Sequence, residues 1–202
     1  MFDLTGMTAL VTGASGGIGS AIARGLAAQG ARLALSGSNI DKLNAFADEL
    51  DGDHVCLPCN LSDAAAVDAL VPQAVEALGG KLDILLNNAG VTRDNLLMRL
   101  SDEDYDTVLD TNLRGAFNIT RAASRPLMKS KAGRLINIAS VVGIVGNAGQ
   151  TNYAASKGGL IALRSPDAIH WSTMADGPVI TKGAFDSQNL AFFDPQLGKY
   201  RA

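Results

Sequence analysis

The sequence predicts an α/β domain built on a doubly wound parallel sheet. Three observations lead to this fold: short apolar runs alternate with helical patterns over residues 1–163, a glycine-rich turn follows the first run, and the composition supports a core. The chain has 202 residues, of which 47% are hydrophobic and 18% charged, a balance typical of one globular domain rather than a disordered chain. Right-handed crossovers between parallel strands leave few other topologies.

Five apolar runs are predicted as strands because they are short and are bounded by glycine or polar residues. They are residues 7–12, 32–36, 54–58, 82–87 and 134–140. Since helical patterns lie between these runs, helices are expected on both faces of a parallel sheet.

The helical patterns begin and end at recognisable signals. Residues 18–29 repeat apolar side chains at helical spacing, and Gly30 follows as a stop signal. Residues 38–41 (Ser-Asn-Ile-Asp) and 101–104 (Ser-Asp-Glu-Asp) each resemble a capping box, so a helix is predicted to begin at both places. The helix that starts at Ser101 is expected to be long and to contain Asn112.

A glycine-rich turn lies between the first strand and the first helix. Gly13, Gly17 and Gly19 follow the spacing G-x3-G-x-G, and glycines let the backbone turn tightly and approach a ligand closely. The free N–H groups at the start of the helix favour a pyrophosphate, so the turn predicts a Rossmann-like dinucleotide site. The alternative is an ordinary strand-to-helix turn, and the position after the opening strand favours the dinucleotide site.

The second predicted strand ends without an acidic residue. Dinucleotide folds that bind NAD usually carry Asp or Glu about 20 residues after the glycines, whereas residues 36–39 here read Ser-Gly-Ser-Asn. This permits a 2′-phosphate, to which Ser36, Ser38 and Asn39 could donate hydrogen bonds. NADP (NADPH) is therefore predicted in preference to NAD, while the serines are equally compatible with helix capping.

Tyr153 and Lys157 are four residues apart and would project from one face of a helix. A phenol has an unperturbed pKa near ~10, and a nearby ammonium group favours the phenolate and lowers that pKa. The pair is therefore predicted to act as a general acid. Residues 87–90 and Ser140 end the fourth and fifth predicted strands, and carboxyl ends of parallel strands line one crevice.

Together these motifs resemble those of the short-chain dehydrogenase/reductase family. The resemblance rests on residues 12–19, Asn60-Leu61, residues 87–90, Asn112, Ser140 and Tyr153-x-x-x-Lys157, in the expected order, and spans about residues 2–163. Residues 92–100 (TRDNLLMRL) and 140–153 (SVVGIVGNAGQTNY) are similar, more narrowly, to β-ketoacyl-(acyl-carrier-protein) reductases of fatty-acid synthesis.

The resemblance implies roles for individual residues. Tyr153 would donate a proton to the substrate carbonyl oxygen, and Ser140 would orient that oxygen. Lys157 would lower the pKa of the tyrosine and hold the nicotinamide ribose. Asn112 would bind a water that relays protons towards Lys157, and Asn60 would contact adenine, where Asp is commoner in the family. The implied cofactor-binding residues are Gly13, Ser15, Gly17, Ile18, Gly19, Ser38, Asn60, Leu61, Asn87, Ala89, Gly90, Tyr153 and Lys157. No metal site is expected.

The implied reaction is the NADPH-dependent reduction of a 3-oxoacyl thioester, carried by an acyl carrier protein or by coenzyme A, to the 3-hydroxyacyl form. The family also implies a homotetramer built on the two long helices that follow strands four and five. A second function, of a different class, is that of a catalytically inactive family member that at most binds nucleotide.

Charge and hydropathy bear on partners and location. A formal net charge of −3 argues against a nucleic-acid surface. No apolar run approaches the ~18 residues needed to span a bilayer. The first basic residue is Arg24, so the start of the sequence lacks the charge typical of a secretory signal, and a cytoplasmic location is expected.

Two further patterns have both a structural and a functional interpretation. Cys56 and Cys59 match C-x-x-C, but residues three apart on a strand face opposite sides, so free thiols are predicted. A basic run is predicted either as a solvated helix end, which we favour, or as a docking surface for an acidic acyl carrier protein. Its members are Arg121, Arg125, Lys129 and Lys131.

Residues 164–202 differ in composition from the rest, with five of the ten aromatic residues and three of the six prolines. The resemblance is lost after Leu163, so we divide the chain into a Rossmann-like reductase domain at 1–163 and an atypical tail at 164–202. The tail is either a divergent ending or read-through into a shifted frame. Only residues 178–181 (PVIT) could pair with the strand at 134–140. We therefore expect a sheet incomplete on its C-terminal side, an exposed edge, preferential proteolysis of the tail, and weak or absent activity.

Overall fold

The structure, a computed structural model, describes residues 3–163 and the backbone of residues 192–194 and 199–201. Five strands form a parallel sheet with the order β3-β2-β1-β4-β5. They are β1 (Thr8–Thr12), β2 (Arg32–Gly37), β3 (Val55–Pro58), β4 (Ile84–Asn87) and β5 (Arg134–Asn137). The predicted doubly wound, Rossmann-like sheet is confirmed, and its strand order reverses between β1 and β4, where such sheets bind ligands.

Four strands are shorter than predicted: β1 and β3 by one residue, β4 by two and β5 by three. The structure shows contacts at the shortened ends of β3 and β5. β3 begins at Val55 because the His54 side chain, through Nδ1, accepts the backbone N–H of Leu33 at 3.2 Å. β5 ends at Asn137, and the next carbonyl, that of Ile138, accepts a hydrogen bond from the Lys157 side chain instead of a sheet partner. Ser140 therefore lies in the segment after β5 and does not end the strand, as the sequence predicted.

Within residues 3–163, seven α-helices connect or follow the strands. They are α1 (Gly17–Ala28), α2 (Ile40–Ala47), α3 (Ala64–Ala77), α4 (Asp102–Leu109), α5 (Gly115–Lys129), α6 (Val142–Val145) and α7 (Thr151–Ala162). The long helix predicted from Ser101 is present, but a π-helical turn at Asp110–Arg114 joins α4 to α5 and contains Asn112. Among the described helices, none combines the length and the apolar character required to cross a membrane.

The helix caps correct one prediction and confirm another. The N-cap of α2 is Asn39 and not Ser38, because Asn39 Oδ1 accepts the backbone N–H of Lys42 at 2.9 Å. Ser101 caps α4 as predicted, since its hydroxyl accepts the backbone N–H of Asp104 at 3.1 Å. Ser38 is exposed and is thereby available for another role.

The core has two layers, one on each face of the sheet. Alternate residues of one strand serve both layers: Leu10 packs with α3 and α5, and its neighbour Val11 packs with α1 and α2. Cys59 belongs to the first layer, and Cys56 packs against the second. Both cysteines are free, as predicted, and burial raises the pKa of each thiol, which is the opposite of what a redox thiol needs.

A buried carboxylate stabilises the amino end of the sheet, away from the ligand-binding edge. Asp83 accepts the backbone N–H of Thr8 at 2.9 Å and the hydroxyl of Ser130 at 2.6 Å. The ammonium group of Lys81 lies 3.2 Å from the same carboxylate. Burial by itself would raise the pKa of Asp83, but the hydrogen bonds from Ser130, Thr8 and Lys81 outweigh it and lower that pKa.

Within the described residues β5 is an edge strand. The proposed partner segment at 178–181 lies outside the described residues. A separate antiparallel pair is formed by β6 (Phe192–Asp194) and β7 (Lys199–Arg201), which the sequence analysis did not predict.

Candidate active site

The glycine-rich turn packs tightly against the end of β4. Gly13 has a φ of +64°, and a Cβ there would lie 2.9 Å from the Ala89 Cα. A Cβ at Gly19 would overlap the Gly13 carbonyl oxygen and the Asn88 side chain. The fold itself therefore requires glycine at these two positions.

Gly17 is different, because a Cβ there would meet no other atom within 4 Å. It is the first residue of α1, and the N-cap residue, Gly16, offers no side-chain hydrogen bond to the helix. The positive end of α1 thus begins in a glycine-rich turn, where a Cβ at Gly17 would project into open space, and the turn forms a cradle at the start of the helix. This cradle fits the pyrophosphate of a dinucleotide.

Two residues that the sequence analysis gave no role hold the turn in place. Thr12 Oγ1 accepts the backbone N–H groups of Asn88 and Ala89 at 3.0 and 3.1 Å. Asn88 Nδ2 donates back to the carbonyls of Thr12 and Gly13 at 3.0 and 3.1 Å. Two features of the sequence could have indicated these roles: Thr12 is at the end of a predicted strand, and Asn88 is the second residue of an Asn-Asn pair.

Asn112 is fully buried in the π-helical turn, with 0% exposure. Its Oδ1 accepts the backbone N–H of Val91 at 2.7 Å, and its Nδ2 donates to the Val91 carbonyl at 2.9 Å and to Ser156 Oγ at 3.1 Å. The side chain therefore holds the loop after β4 against α7. Its predicted role in a proton-relaying water chain stays a prediction.

Lys157 is buried beside the end of β5. Its Nζ donates to the Ile138 carbonyl at 2.8 Å, and a Cβ on Gly90 would lie 3.6 Å from the same nitrogen. Burial lowers the pKa of Lys157 from 10.5 to about 8. At neutral pH the amine is therefore still charged, but it can lose its proton more readily than an exposed lysine.

Tyr153 is half-buried on the same side of α7, and the Lys157 nitrogen lies 5.7 Å from the centre of its ring. Burial raises the pKa of Tyr153, the Ser140 side chain lowers it, and the charge of Asp94 raises it further. Burial is the largest influence on the Tyr153 pKa, and the amine is directed to the Ile138 carbonyl, so a lowering of that pKa by Lys157 stays a prediction. The phenol consequently keeps its proton at neutral pH.

The sheet edge brings most of the predicted residues together. Ser140 is nearly buried, and its Oγ accepts the backbone N–H of Val142 at 3.2 Å. Asn87 is buried: its Nδ2 donates to Thr120 Oγ1 at 3.0 Å and to Asn137 Oδ1 at 2.9 Å, so it serves the sheet rather than the crevice surface.

The adenosine side of the predicted site is more open. Ser15 lies beside Gly37 at the end of β2, and Ser38 is exposed. Ser36 is only 1% exposed, so its hydroxyl cannot reach a 2′-phosphate, and that part of the prediction is wrong. The side chain of Asn60, also exposed, accepts the backbone N–H of Ser62 at 3.1 Å.

Two other predicted cofactor contacts have structural neighbours. Leu61 lies against Gly115, where a Cβ would approach it to 3.1 Å, and Ile18 packs against the core layer of α1 and α2.

The basic side chains of the run at 121–131 are exposed along and after α5, and the Arg121 guanidinium stacks 5.5 Å above the Phe117 ring.

Comparison with known proteins places this geometry in a family. The family model for short chain dehydrogenases matches residues 7–171. Nodulation protein G of Rhizobium sp. (strain N33) is 57% identical over 164 residues, which cover 81% of this chain and 66% of that protein. The 3-oxoacyl-(acyl-carrier-protein) reductase FabG of Escherichia coli (strain K12) is 47% identical over 161 residues, which cover 80% of this chain and 66% of that protein.

A solved structure supports the same assignment. A crystal structure from Sinorhizobium meliloti 1021, assigned to the short-chain alcohol dehydrogenases, superposes with a TM-score of 0.74 at 37% identity and covers 79% of this chain and 64% of that one. The chain thus spans about two thirds of the length of the curated relatives it matches. From its sheet, its glycine turn, its Ser140, Tyr153 and Lys157 group and these similarities, the chain belongs to the short-chain dehydrogenase family of oxidoreductases.

Proposed function

We propose that the chain reduces a 3-oxoacyl thioester, carried by an acyl carrier protein or by coenzyme A, to the 3-hydroxyacyl form with NADPH. The observation that carries this proposal is the grouping of Ser140, Tyr153 and Lys157 at the sheet edge that also bears the Gly17 cradle. The similarity to reductases named for the 3-oxoacyl-(acyl-carrier-protein) reaction supports the substrate class.

The proposed chemistry divides between cofactor and protein. A bound nicotinamide supplies the hydride that reaches the carbonyl carbon. Tyr153 holds a proton at its phenol oxygen and donates it to the carbonyl oxygen, because its raised pKa keeps it protonated at neutral pH. Ser140, close enough to lower that pKa, positions the carbonyl oxygen by a hydrogen bond.

Lys157 has two proposed tasks. One of its ammonium hydrogens is held by the Ile138 carbonyl, which leaves the others for the ribose hydroxyls of the cofactor. Because its pKa is about 8, the amine can return a proton to Tyr153 after each turnover. The buried amide of Asn112 keeps this segment of α7 beside the loop after β4 through Ser156.

We propose NADPH as the preferred cofactor. Ser38 is exposed at the end of β2, the residue after it caps α2, and no carboxylate stands at 36–39 to repel a 2′-phosphate. Calorimetric titration with NADPH and NADH tests the preference, which predicts tighter binding of NADPH. Equal or tighter binding of NADH would contradict it.

Self-association is the second proposed property. A groove of about 680 Å³ runs between α7 and the α4–α5 pair. Its lining is mostly apolar, with Tyr105, Leu109, Leu113 and Phe117 among its members, and also includes the charged residues Asp106, Asp110 and Arg114. The homotetramer implied by the family is built on the long helices that follow strands four and five. These are the helices that line the groove, so the assembly would bury them. Light scattering of the chain and of a Phe117→Asp variant tests this, with a smaller mass expected for the variant.

A cytoplasmic location likewise stays a prediction.

A second candidate function is nucleotide binding without turnover, because the turn at the start of α1 can hold a dinucleotide whether or not Tyr153 donates a proton. NADPH oxidation with a short 3-oxoacyl thioester decides between the two. Turnover that is lost in Tyr153→Phe supports the reductase. Binding of NADPH with no turnover in either protein supports the alternative.

A further inference from the structure

The loop after β4 runs alongside the start of α7 and binds it in reverse order. The backbone N–H of Asn95 donates to the Gly149 carbonyl at 2.9 Å. Gln150 Nε2 donates to Asp94 Oδ2 at 2.9 Å. Asn152 Nδ2 donates to the Arg93 carbonyl at 3.0 Å. Three consecutive loop residues thus hold the segment that leads directly into Tyr153.

Asn152 connects this loop to Tyr153. The residue is fully buried, and its Oδ1 accepts the backbone N–H of Tyr153 at 2.8 Å. Its Nδ2 also approaches the Asp104 carbonyl of α4 at 3.4 Å. Because breaking these bonds would leave buried polar groups unpaired, the loop, α4 and the start of α7 are held in one arrangement.

Gln150 connects the loop to the first helical hydrogen bond. Asn147 Nδ2 donates to Gln150 Oε1 at 2.9 Å and so orients the amide that binds Asp94. The Gln150 carbonyl accepts the backbone N–H of Ala154 at 2.8 Å. A shift of Asp94 would therefore be passed to the turn of helix that carries Tyr153.

The charges around the phenol come from three elements. Arg93 and Asp104 offset each other, with Nε 3.8 Å from Oδ1, and Lys157 is bound to the Ile138 carbonyl. Asp94, in contrast, binds a neutral amide and is exposed. Burial raises the pKa of Tyr153 most, the Ser140 side chain lowers it, and the negative charge of Asp94 raises it by a smaller amount than either.

We propose that residues 93–95 form a strap that positions Tyr153, with Asp94 and Asn152 as its positioning residues. The strap fixes the backbone at Tyr153 through Asn152 and Gln150 and holds a negative charge near the phenol. The proposal extends the proposed reductase function. Of its expected effects, only the effect on turnover depends on that function.

The charge of the strap is tested by titrating the tyrosines with ¹³C-labelled tyrosine and NMR, with Tyr153→Phe to assign the signal. Asp94→Asn keeps the shape and removes the charge, so the titration midpoint of Tyr153 is expected to move to lower pH. Asp68→Asn, the same change at an exposed site on α3, is the matched control and is expected to leave it unmoved. Equal midpoints in the parent and in Asp94→Asn would overturn this part of the proposal.

The mechanical role of the strap is tested by hydrogen exchange at neutral pH. Gln150→Ala removes the partner of Asp94 and is expected to speed the exchange of the Ala154 amide, whereas Gln73→Ala on α3 is not. In an active chain, Gln150→Ala lowers kcat more than it changes KM. Unchanged exchange in Gln150→Ala would refute the strap, whether or not the chain turns over, since neither the titration nor the exchange requires activity.

Discussion

The Lys157 amine donates a hydrogen bond to the Ile138 carbonyl at 2.8 Å, and this bond joins the helix that carries Tyr153 to the end of β5. Lys157 is only 4% exposed, so its charged amine is held where water is scarce. The cost of that burial is visible in the lowered pKa, about 8 in place of 10.5.

Replacing Lys157 is expected to stabilise the fold while it removes activity. The folded pKa lies below the unfolded one, so the burial penalty is full below pH 8 and vanishes as pH rises towards 10.5. At ~1.4 kcal/mol for each pKa unit, the penalty is about 3 kcal/mol. Urea denaturation at pH 7 should show Lys157→Met as more stable than the parent, with the gap shrinking towards pH 10. A gap that does not change with pH, or one shared by the exposed-site control Lys42→Met, would contradict this.

Removing the phenol oxygen of Tyr153 is expected to lower turnover by ~10²–10⁴ without weakening cofactor binding. The reason is that the proposed mechanism gives Tyr153 the proton donation and gives the glycine turn and Lys157 the main part in holding the cofactor. Steady-state NADPH oxidation and calorimetric titration of Tyr153→Phe provide the two measurements. Tyr105→Phe, an exposed phenol on α4, is the matched control. Unaltered turnover in Tyr153→Phe would remove the mechanism.

Two glycines of the turn are expected to respond in opposite ways to the same methyl group. Gly19→Ala would overlap the Gly13 carbonyl oxygen and should cost about 1–3 kcal/mol in the free energy of unfolding. Gly17→Ala meets no neighbouring atom and should keep its stability, but weaken NADPH binding on the order of tenfold, because the backbone approaches the pyrophosphate there. Denaturation and titration of both variants separate the effects. NADPH binding that is unchanged in Gly17→Ala would contradict the cradle, and a stability loss in Gly17→Ala equal to that of Gly19→Ala would contradict the difference in packing.

Asp83 is expected to contribute to stability in a pH-dependent way. Its folded pKa is lowered, so its contribution is present above the unfolded pKa near ~3.9 and is lost as pH falls through the folded pKa. Asp83→Ala should cost about 2–4 kcal/mol at pH 7, because the Thr8 N–H and the Ser130 hydroxyl lose their partner. Chemical denaturation should show this difference narrowing in acid. The exposed-site variant Asp68→Ala should show neither effect.

The sheet and the glycine turn could be predicted because they depend on local patterns. Apolar runs such as residues 32–36 have the composition typical of buried strands. A threonine followed by spaced glycines predicts the turn. Residues 87–90 and Ser140 could be assigned to one crevice because they follow predicted parallel strands, whereas Asn112, Tyr153 and Lys157 were added through the family resemblance.

Other features depend on contacts between distant residues and were therefore predicted wrongly or missed. The end of β5 lies beside the hydrogen bond from Lys157 to the Ile138 carbonyl, a contact between residues 19 apart in sequence that no local pattern reveals. Whether Ser38 or Asn39 caps α2 depends on which side chain reaches the Lys42 N–H, and both residue types are good caps.

The wide turn at Asp110–Arg114 has a consequence for how the chain can vary in length. One extra residue in a helix changes the direction of every following side chain by about 100°, since an α-helix has 3.6 residues in each turn. Buried side chains lie on both sides of the turn: Val108 in α4, and Ile119 and Ala123 in α5. Each helix is therefore rotated about its axis so that its apolar side chains face the core. Deleting a single residue here would give a more regular helix but would rotate Ile119 and Ala123 away from the sheet. The irregular turn and the apolar pattern of α5 can therefore change only together.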